Sequence, residues 1–396
     1  MMSMNYKAVG SEPVGSRLET GRFYREPPLS IQTPYIEIDE SRIDNNLKEM
    51  QSKAASSGCL LMPHIKTHKS LFLADKQIKF GAAGITASKP QELLVFIKGG
   101  IQRAILAYPV VCPKSLDILL PEVLARRVSL SVIAADPLGV KALALASEKH
   151  GVKLSVFIKV DVGLGRVGIK PGADIALELA NEIRNSPTLR FAGLLSHAGH
   201  SYGAISRDQL EQIALSEADN LTVTSTMLKE HGIEVPDISV GASPTCIGAP
   251  LPAVANIVRP GNYIFFDKTA LRLGICKADQ IALSVIATVV AYNDDGFIVD
   301  AGSKSLSSDL GPHGTGSGDY GIVVSANNSN LGVWRVERLS EEHGFVKCSE
   351  RPPHLGSKVR IFPNHACTVM AQFDTYILRR STGEFVEMPV DARGCQ

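Results

Sequence analysis

From Leu60 onward the sequence repeats one pattern eight times, a short apolar run followed in most cases by an amphipathic stretch of helical period. The runs span 60–66, 84–88, 104–108, 129–134, 153–161, 191–197, 237–241 and 256–259, and the helical stretches include 91–98, 137–150, 173–185 and 207–231. Short buried strands alternating with helices read as βαβ units on a parallel sheet. Eight such units predict a (β/α)8 barrel, an α/β fold of the TIM type, rather than an open sheet. Asp39 is placed to cap a preceding helix whose apolar face is Ile43, Leu47, Met50 and Ala54.

After about residue 275 the helical period disappears. Apolar runs at 280–292, 297–300 and 358–363 are punctuated by turn signals such as Asp295-Gly296, which predicts an appended antiparallel β domain. A chain of 396 residues exceeds what one core normally holds, in agreement with two domains. The expected organisation is an N-terminal segment, 1–34, packing on the β domain, then a barrel at 35–275 and the β domain at 276–396.

Charge narrows the function classes. With 41 basic against 40 acidic residues and no basic run, the chain has no electrostatic footprint for nucleic acid or an anionic membrane. The longest nearly uninterrupted apolar run, 281–292, falls short of the roughly 20 residues a bilayer demands. The start lacks a charged-then-apolar leader, so a cytoplasmic protein is expected. Seven scattered cysteines without CxxC spacing argue against a disulfide framework or a four-cysteine zinc site.

Four constellations could carry chemistry. The densest is Pro63-His64-Ile65-Lys66-Thr67-His68-Lys69 at the end of the first barrel strand, where barrel enzymes place catalytic groups. Strand alternation would put His64 and Lys66 on one face, an arrangement suited to a Schiff-base lysine whose pKa is lowered by His64, His68 and Lys69. The alternative is a solvated basic loop. A second is the pair of loops after strands seven and eight, Gly241 to Thr245 and Arg259 to Tyr263, where this fold binds phosphate. Small residues there admit backbone N–H groups, and Ser243, Thr245 and Tyr263 add hydroxyls.

The third, Asp161-Val-Gly-Leu-Gly-Arg166-Val-Gly168, has the wrong order for a dinucleotide fingerprint. Arg166 leaves strand five toward the mouth, either to meet a cofactor oxygen or to pair with a surface carboxylate. The fourth is His365-Ala-Cys367. If extended, it points imidazole and thiolate the same way, as a zinc pair or as core packing.

Taken together, these blocks resemble the D-serine dehydratase and D-threonine aldolase family of fold-type III pyridoxal-phosphate enzymes. That family resembles alanine racemase in its barrel and adds a C-terminal β domain. Matching blocks run from Thr33-Pro34-Tyr35 through the lysine block, Asp161 to Gly168, Gly199-His200, both loops, Asp300 to Lys304, Glu342-His343-Gly344 and Pro363 to Cys367. The resemblance implies that Lys66 bonds to pyridoxal 5'-phosphate, with His64 beside it. It also implies that Gly241, Ser243, Thr245 and Tyr263 hold the phosphate and that Arg166, His200 and Tyr202 lie near the ring or substrate. His365 and Cys367 match the metal pair of the dehydratase branch, where the ion is usually zinc, whereas the aldolase branch generally has aspartate at the second position. One departure is Met62, where the family commonly has arginine before Pro-His.

The implied activity is metal-dependent elimination from a D-3-hydroxy amino acid such as D-serine, giving a 2-oxo acid and ammonia. The runner-up is a D-threonine or D-3-hydroxyaspartate aldolase, giving glycine and an aldehyde. A non-catalytic pyridoxal-phosphate carrier would lack the β domain, and a racemase would not need the His-x-Cys pair. The family resemblance also implies a homodimer. Light scattering of the active protein should give twice the 42.5 kDa chain mass, and a fully active monomer would refute it.

Overall fold

The structure is a computed structural model and describes residues 23–24, 32–316, 318–326, 332–349 and 351–395. All eight expected barrel strands form, as Leu60–Leu61, Ile85–Ala87, Arg103–Pro109, Ser129–Ala134, Leu154–Lys159, Leu189–Leu195, Asp237–Val240 and Ile257–Val258. They are parallel and ordered in sequence, with Ile257–Val258 returning to pair with Leu60–Leu61. The first and second strands close the cylinder through Ala83 N to Leu61 O and Thr86 N to Pro63 O, both 2.8 Å. Two short helices not anticipated from the sequence, Leu71–Lys79 and Leu120–Ala125, complete the outer layer.

Met62, Ile105, Ile133, Phe157, Ala192, Leu195 and Ile257 fill the barrel interior as one cluster. The family's departure at position 62 thereby acquires a physical meaning. Met62 is only 1% exposed and is a packing residue beneath the cleft. A Cβ at Gly84 would come within 2.8 Å of its Cε, so the site is filled as it stands.

The second sheet contains a closed antiparallel barrel of six strands. Leu283–Asn293 pairs with Gly296–Val299 on one side and with Lys358–Pro363 on the other. Gly344–Lys347, Val333–Leu339 and Gly321–Ser325 complete the ring. Its core includes Val285, Val323 and Val359, with Phe297 edge-on to Trp334 at 5.4 Å.

Tyr35–Asp39, grouped above with the barrel, belongs instead to this second sheet. It pairs antiparallel with Leu283–Ile286 and parallel with Ile377–Arg379. Four of its five residues are buried, which suits a strand covered on both faces, and only at Asp39 does the chain turn to the barrel. Asp39 accepts from Arg42 N at 3.2 Å, capping helix Glu40–Ser56 as the spacing anticipates. Within the N-terminal segment, Phe23–Tyr24 pairs with Phe385–Val386, and residues 1–22 and 25–31 lie outside the described residues. Among the described residues no helix is long and apolar enough to cross a membrane.

His68 ties the lysine block to the core and is fully buried. Its Nδ1 accepts from Ser70 N at 3.1 Å, and its Nε2 meets Gln77 Oε1 at 3.2 Å. Gln77 Nε2 donates onward to the Tyr263 hydroxyl at 3.2 Å. Burial pushes the His68 pKa down to about 4, against the opposing hydrogen bonds. The unfolded chain therefore takes up a proton, near pH 6.5, before the folded one does. The stability this group contributes is complete above that pH and is lost as pH falls toward 4. Urea unfolding at pH 7.5 and pH 5 should show about 2 kcal/mol less pH-dependent loss in His68→Gln than in the wild type. Equal losses would refute this assignment.

Candidate active site

The first barrel strand ends at Leu61, and Pro63 has no N–H to continue a ladder. The chain keeps one bridge, His64 against Thr86, and then winds into the 3-10 turn Ile65–Thr67. Lys66 therefore stands on a turn and not on a strand, and alternation is not what places it beside His64. Ile65, completely buried, anchors the turn while Lys66 faces the cleft.

The cleft has two adjoining lobes of about 470 and 410 Å³ that share His64, Lys66, His197 and Arg259. Tyr202, Ser243, His365 and Cys367 line the larger lobe, and Lys159 and Arg166 line the smaller. Among the described residues neither lobe is lined by any Asp or Glu side chain. Walls so rich in cations suit an anionic ligand.

The Lys66 ammonium has no hydrogen-bond partner among the described residues. Its pKa is lowered by burial, with Arg166 and Arg259 adding to the effect and the Cys367 thiolate opposing it. His68 and Lys69, expected to help, do not. His68 is turned into the core, and Lys69 Nζ is neutralised by Glu92 Oε1 at 2.8 Å. Burial and the Lys66 charge push His64 and His197 well below the usual imidazole range, leaving both neutral. His64 Nδ1 is buried without a partner among the described residues.

Other expected residues divide between the cleft and the core. Tyr202 and Ser243 both reach the cleft, and Ser243 Oγ accepts from Gly261 N at 3.2 Å. Arg166 is exposed at the mouth and forms no ion pair with a described carboxylate. Gly241 stands behind the lining, where a Cβ would meet Arg259 N at 2.9 Å. Three more residues do not line the cleft. Thr245 donates to the Ala242 carbonyl at 3.2 Å. Tyr263 is buried on Gln77, because the 3-10 turn Asn262–Ile264 sends Asn262 to the cleft and Tyr263 to the core. His200 lies on the turn Gly199–Gly203, packed over Gly163, while Tyr202 on the same turn faces inward.

The His365–Cys367 segment is not extended as expected. His365 precedes the short helix Ala366–Met370, yet the Cys367 thiolate still lies close enough to raise the imidazole pKa. Asp309 Oδ2 takes His365 Nδ1 at 2.7 Å, leaving Nε2 for the thiolate side. Burial disfavours the imidazolium, but the Cys367 thiolate and Asp309 raise His365 to about 10. Burial likewise opposes the thiolate, and His365 and Thr67 lower Cys367 nonetheless. Cys367 Sγ lies 3.3 Å from Thr67 Oγ1, beside Lys66.

Sequence reasoning misses three cleft residues and one carboxylate that stands behind the cleft. His197 ends a run that had been recognised, and its Nδ1 is held by the Gly241 carbonyl, so the strand-end rule alone would have flagged it. Arg259 was seen only as part of a loop, but its side chain is anchored by Ser239 Oγ at 2.7 Å and by Ser196 O. Lys159, 7% exposed at the end of strand five, has its pKa driven well down by burial and by Arg259. Asp309 lies 56 residues from its partner and has no local signal.

Residues 38–269 match the family described as "Alanine racemase, N-terminal domain", and residues 282–379 match the "Putative serine dehydratase domain". A D-threo-3-hydroxyaspartate dehydratase of Delftia sp. (strain HT23) is 31% identical over 365 residues, covering 88% of this chain and 94% of that protein. A D-threonine aldolase of Arthrobacter sp. is 30% identical over 86% of this chain and 87% of that one. A solved D-threo-3-hydroxyaspartate dehydratase, a cysteine-to-alanine mutant in the metal-free form, superposes with a TM-score of 0.84 at 30% identity. It covers 91% of this chain and 98% of its own. The chain belongs to the D-serine dehydratase and D-threonine aldolase family and is an enzyme of the lyase class. Pyridoxal phosphate is the cofactor expected of that family.

Proposed function

We propose that the protein is a pyridoxal-phosphate- and metal-dependent D-amino-acid dehydratase. It would act on a D-3-hydroxy amino acid such as D-serine to give a 2-oxo acid and ammonia. The observation that carries this reading is the contact between Cys367 and Thr67, which sets the His365–Cys367 pair beside the turn bearing Lys66. Elimination breaks a C–H bond at one carbon and a C–O bond at the next, so its proton acceptor and its leaving-group ligand must stand side by side.

The cleft's donors fit the cofactor. Lys66 would hold its aldehyde carbon, and Ser243 with the backbone around Gly241 and Gly261 its phosphate. A side chain at Gly261 would fall 2.8 Å from Thr67 Oγ1, so the backbone there stays open. His64, with a buried nitrogen unpaired among the described residues, and Arg166 are among the polar groups available to ring or substrate oxygens. When bound, the cofactor supplies an electron sink for charge at Cα. Lys66, its amine form favoured by burial and neighbouring cations, takes the Cα proton on Nζ.

The donor set at the second centre also fits a metal. Imidazole and thiolate stand close enough for each to favour the charged form of the other, Asp309 fixes the imidazole from behind, and sulfur with nitrogen donors favours zinc. Among the described residues no cluster of three or more ligating side chains surrounds the pair, so water or substrate completes the site. A bound ion supplies Lewis acidity to the β-hydroxyl. The aldolase reading uses the same residues and differs only in products.

Lys66→Ala should lose the visible absorption of the cofactor-loaded protein, and a retained band removes Lys66 as anchor. His365→Ala should keep the cofactor, lose the metal and slow turnover at least about 100-fold. Full activity of that variant without metal excludes the Lewis-acid role. Incubation with D-serine, D-threonine and D-threo-3-hydroxyaspartate decides the reaction. Oxo acid plus ammonia, abolished by a chelator, supports elimination, whereas glycine plus an aldehyde moves the protein to the aldolase branch.

A further inference from the structure

The end of the barrel and the segment carrying His365 and Cys367 meet along a buried seam. Three successive barrel residues reach across it. The Asp267 carboxylate accepts the backbone N–H of Ala366 at 3.0 Å on Oδ2. Thr269 Oγ1 donates to the Asn364 carbonyl at 2.7 Å. Between them Lys268 pairs with Asp319, whose carbonyl accepts Asn364 Nδ2 at 2.6 Å. The backbone is thus fastened on both sides of His365.

Asp267 does more than its own helix requires. Its Oδ1 accepts from Ala270 N at 2.9 Å, capping the short helix Lys268–Arg272. Its Oδ2 takes two donors from outside that helix, Ala366 N and, at 2.7 Å, Asn262 Nδ2. Asn262 lines the larger lobe beside Gly261. One carboxylate with no exposed surface therefore joins the cofactor end of the cleft to the peptide between the two candidate ligands. Burying a carboxylate costs free energy, and capping alone does not demand it. Asp39 and Asp136 cap their helices from half-buried positions.

We propose that Asp267 is a positioning residue for the metal pair, setting how His365 and Cys367 stand toward the cofactor end of the cleft. The inference rests on reading that pair as metal ligands.

Two variants probe the link from opposite sides. Asp267→Asn keeps the shape but turns one oxygen into a donor, so in either orientation the amide opposes at least one N–H. Ala366→Pro deletes only the N–H that reaches Asp267. Ala366 opens its helix, and His365 before it is extended at φ −140°, ψ 101°, a conformation compatible with a following proline.

Zinc affinity of the cofactor-loaded protein is measured by competition with a chromophoric chelator. Cofactor affinity is measured by absorbance, and folding by circular dichroism. Both variants should bind zinc roughly 10- to 100-fold more weakly, while Ala366→Pro keeps cofactor affinity within about threefold. Zinc affinity within about twofold of wild type in either folded variant overturns the proposal. Equal losses of zinc and cofactor in Ala366→Pro overturn it as well, because they mark general loosening. If wild type and His365→Ala bind zinc equally, the metal reading itself falls and takes this role for Asp267 with it.

Discussion

Everything at the cleft depends on how the barrel closes around Pro63. Met62 N bonds the Val258 carbonyl at 2.9 Å, His64 N the Pro260 carbonyl at 3.0 Å, and Thr86 N the Pro63 carbonyl at 2.8 Å. These three bonds lock the first strand between the eighth and the second. Pro63 and Pro260 cannot donate, so the ladder stops there and the chain must turn. Because the turn starts from a locked position, Lys66 enters a space walled by Arg166, Arg259 and neutral imidazoles. An amine held among cations and away from water surrenders part of its charge, which is the condition for it to act as nucleophile and base.

In the proposed reading the two domains divide the chemistry. The barrel contributes the amine, the open backbone around Gly241 and Gly261, and the cationic walls. The β domain contributes His365, Cys367 and Asp309, a half-buried cluster of carboxylate, imidazole and thiolate that alone would be unremarkable. Its meaning comes from Thr67, which touches Cys367 and is the next residue after Lys66. Relatives named as dehydratases and relatives named as aldolases share this family.

Much of the fold was legible because periodicity is a local property. Ser129–Ala134 and Pro137–His150 fall where the pattern puts them, and all eight parallel strands lie within the expected runs or beside them. The sequence does not separate Tyr35–Asp39 from the barrel because a short strand looks alike in either sheet, and only its partner Leu283–Ile286, nearly 250 residues on, decides which it joins. Tyr263 and His200 were misplaced for a different reason. Short 3-10 turns rotate successive side chains by about a third of a circle, so loop membership does not say which residue faces the cleft.

The sequence by itself determined the barrel, the appended β domain and the candidate amine and metal-pair residues, because strand period, residue chemistry and motif order are written along the chain. Tertiary structure decided the rest. It brought Asp309 behind His365, set Cys367 against Thr67, paired Lys69 with Glu92 and made Met62 part of the barrel core. Each of these is a contact between segments that share no local pattern. Burial and through-space charge, which set the state of Lys66, exist only once those segments have met.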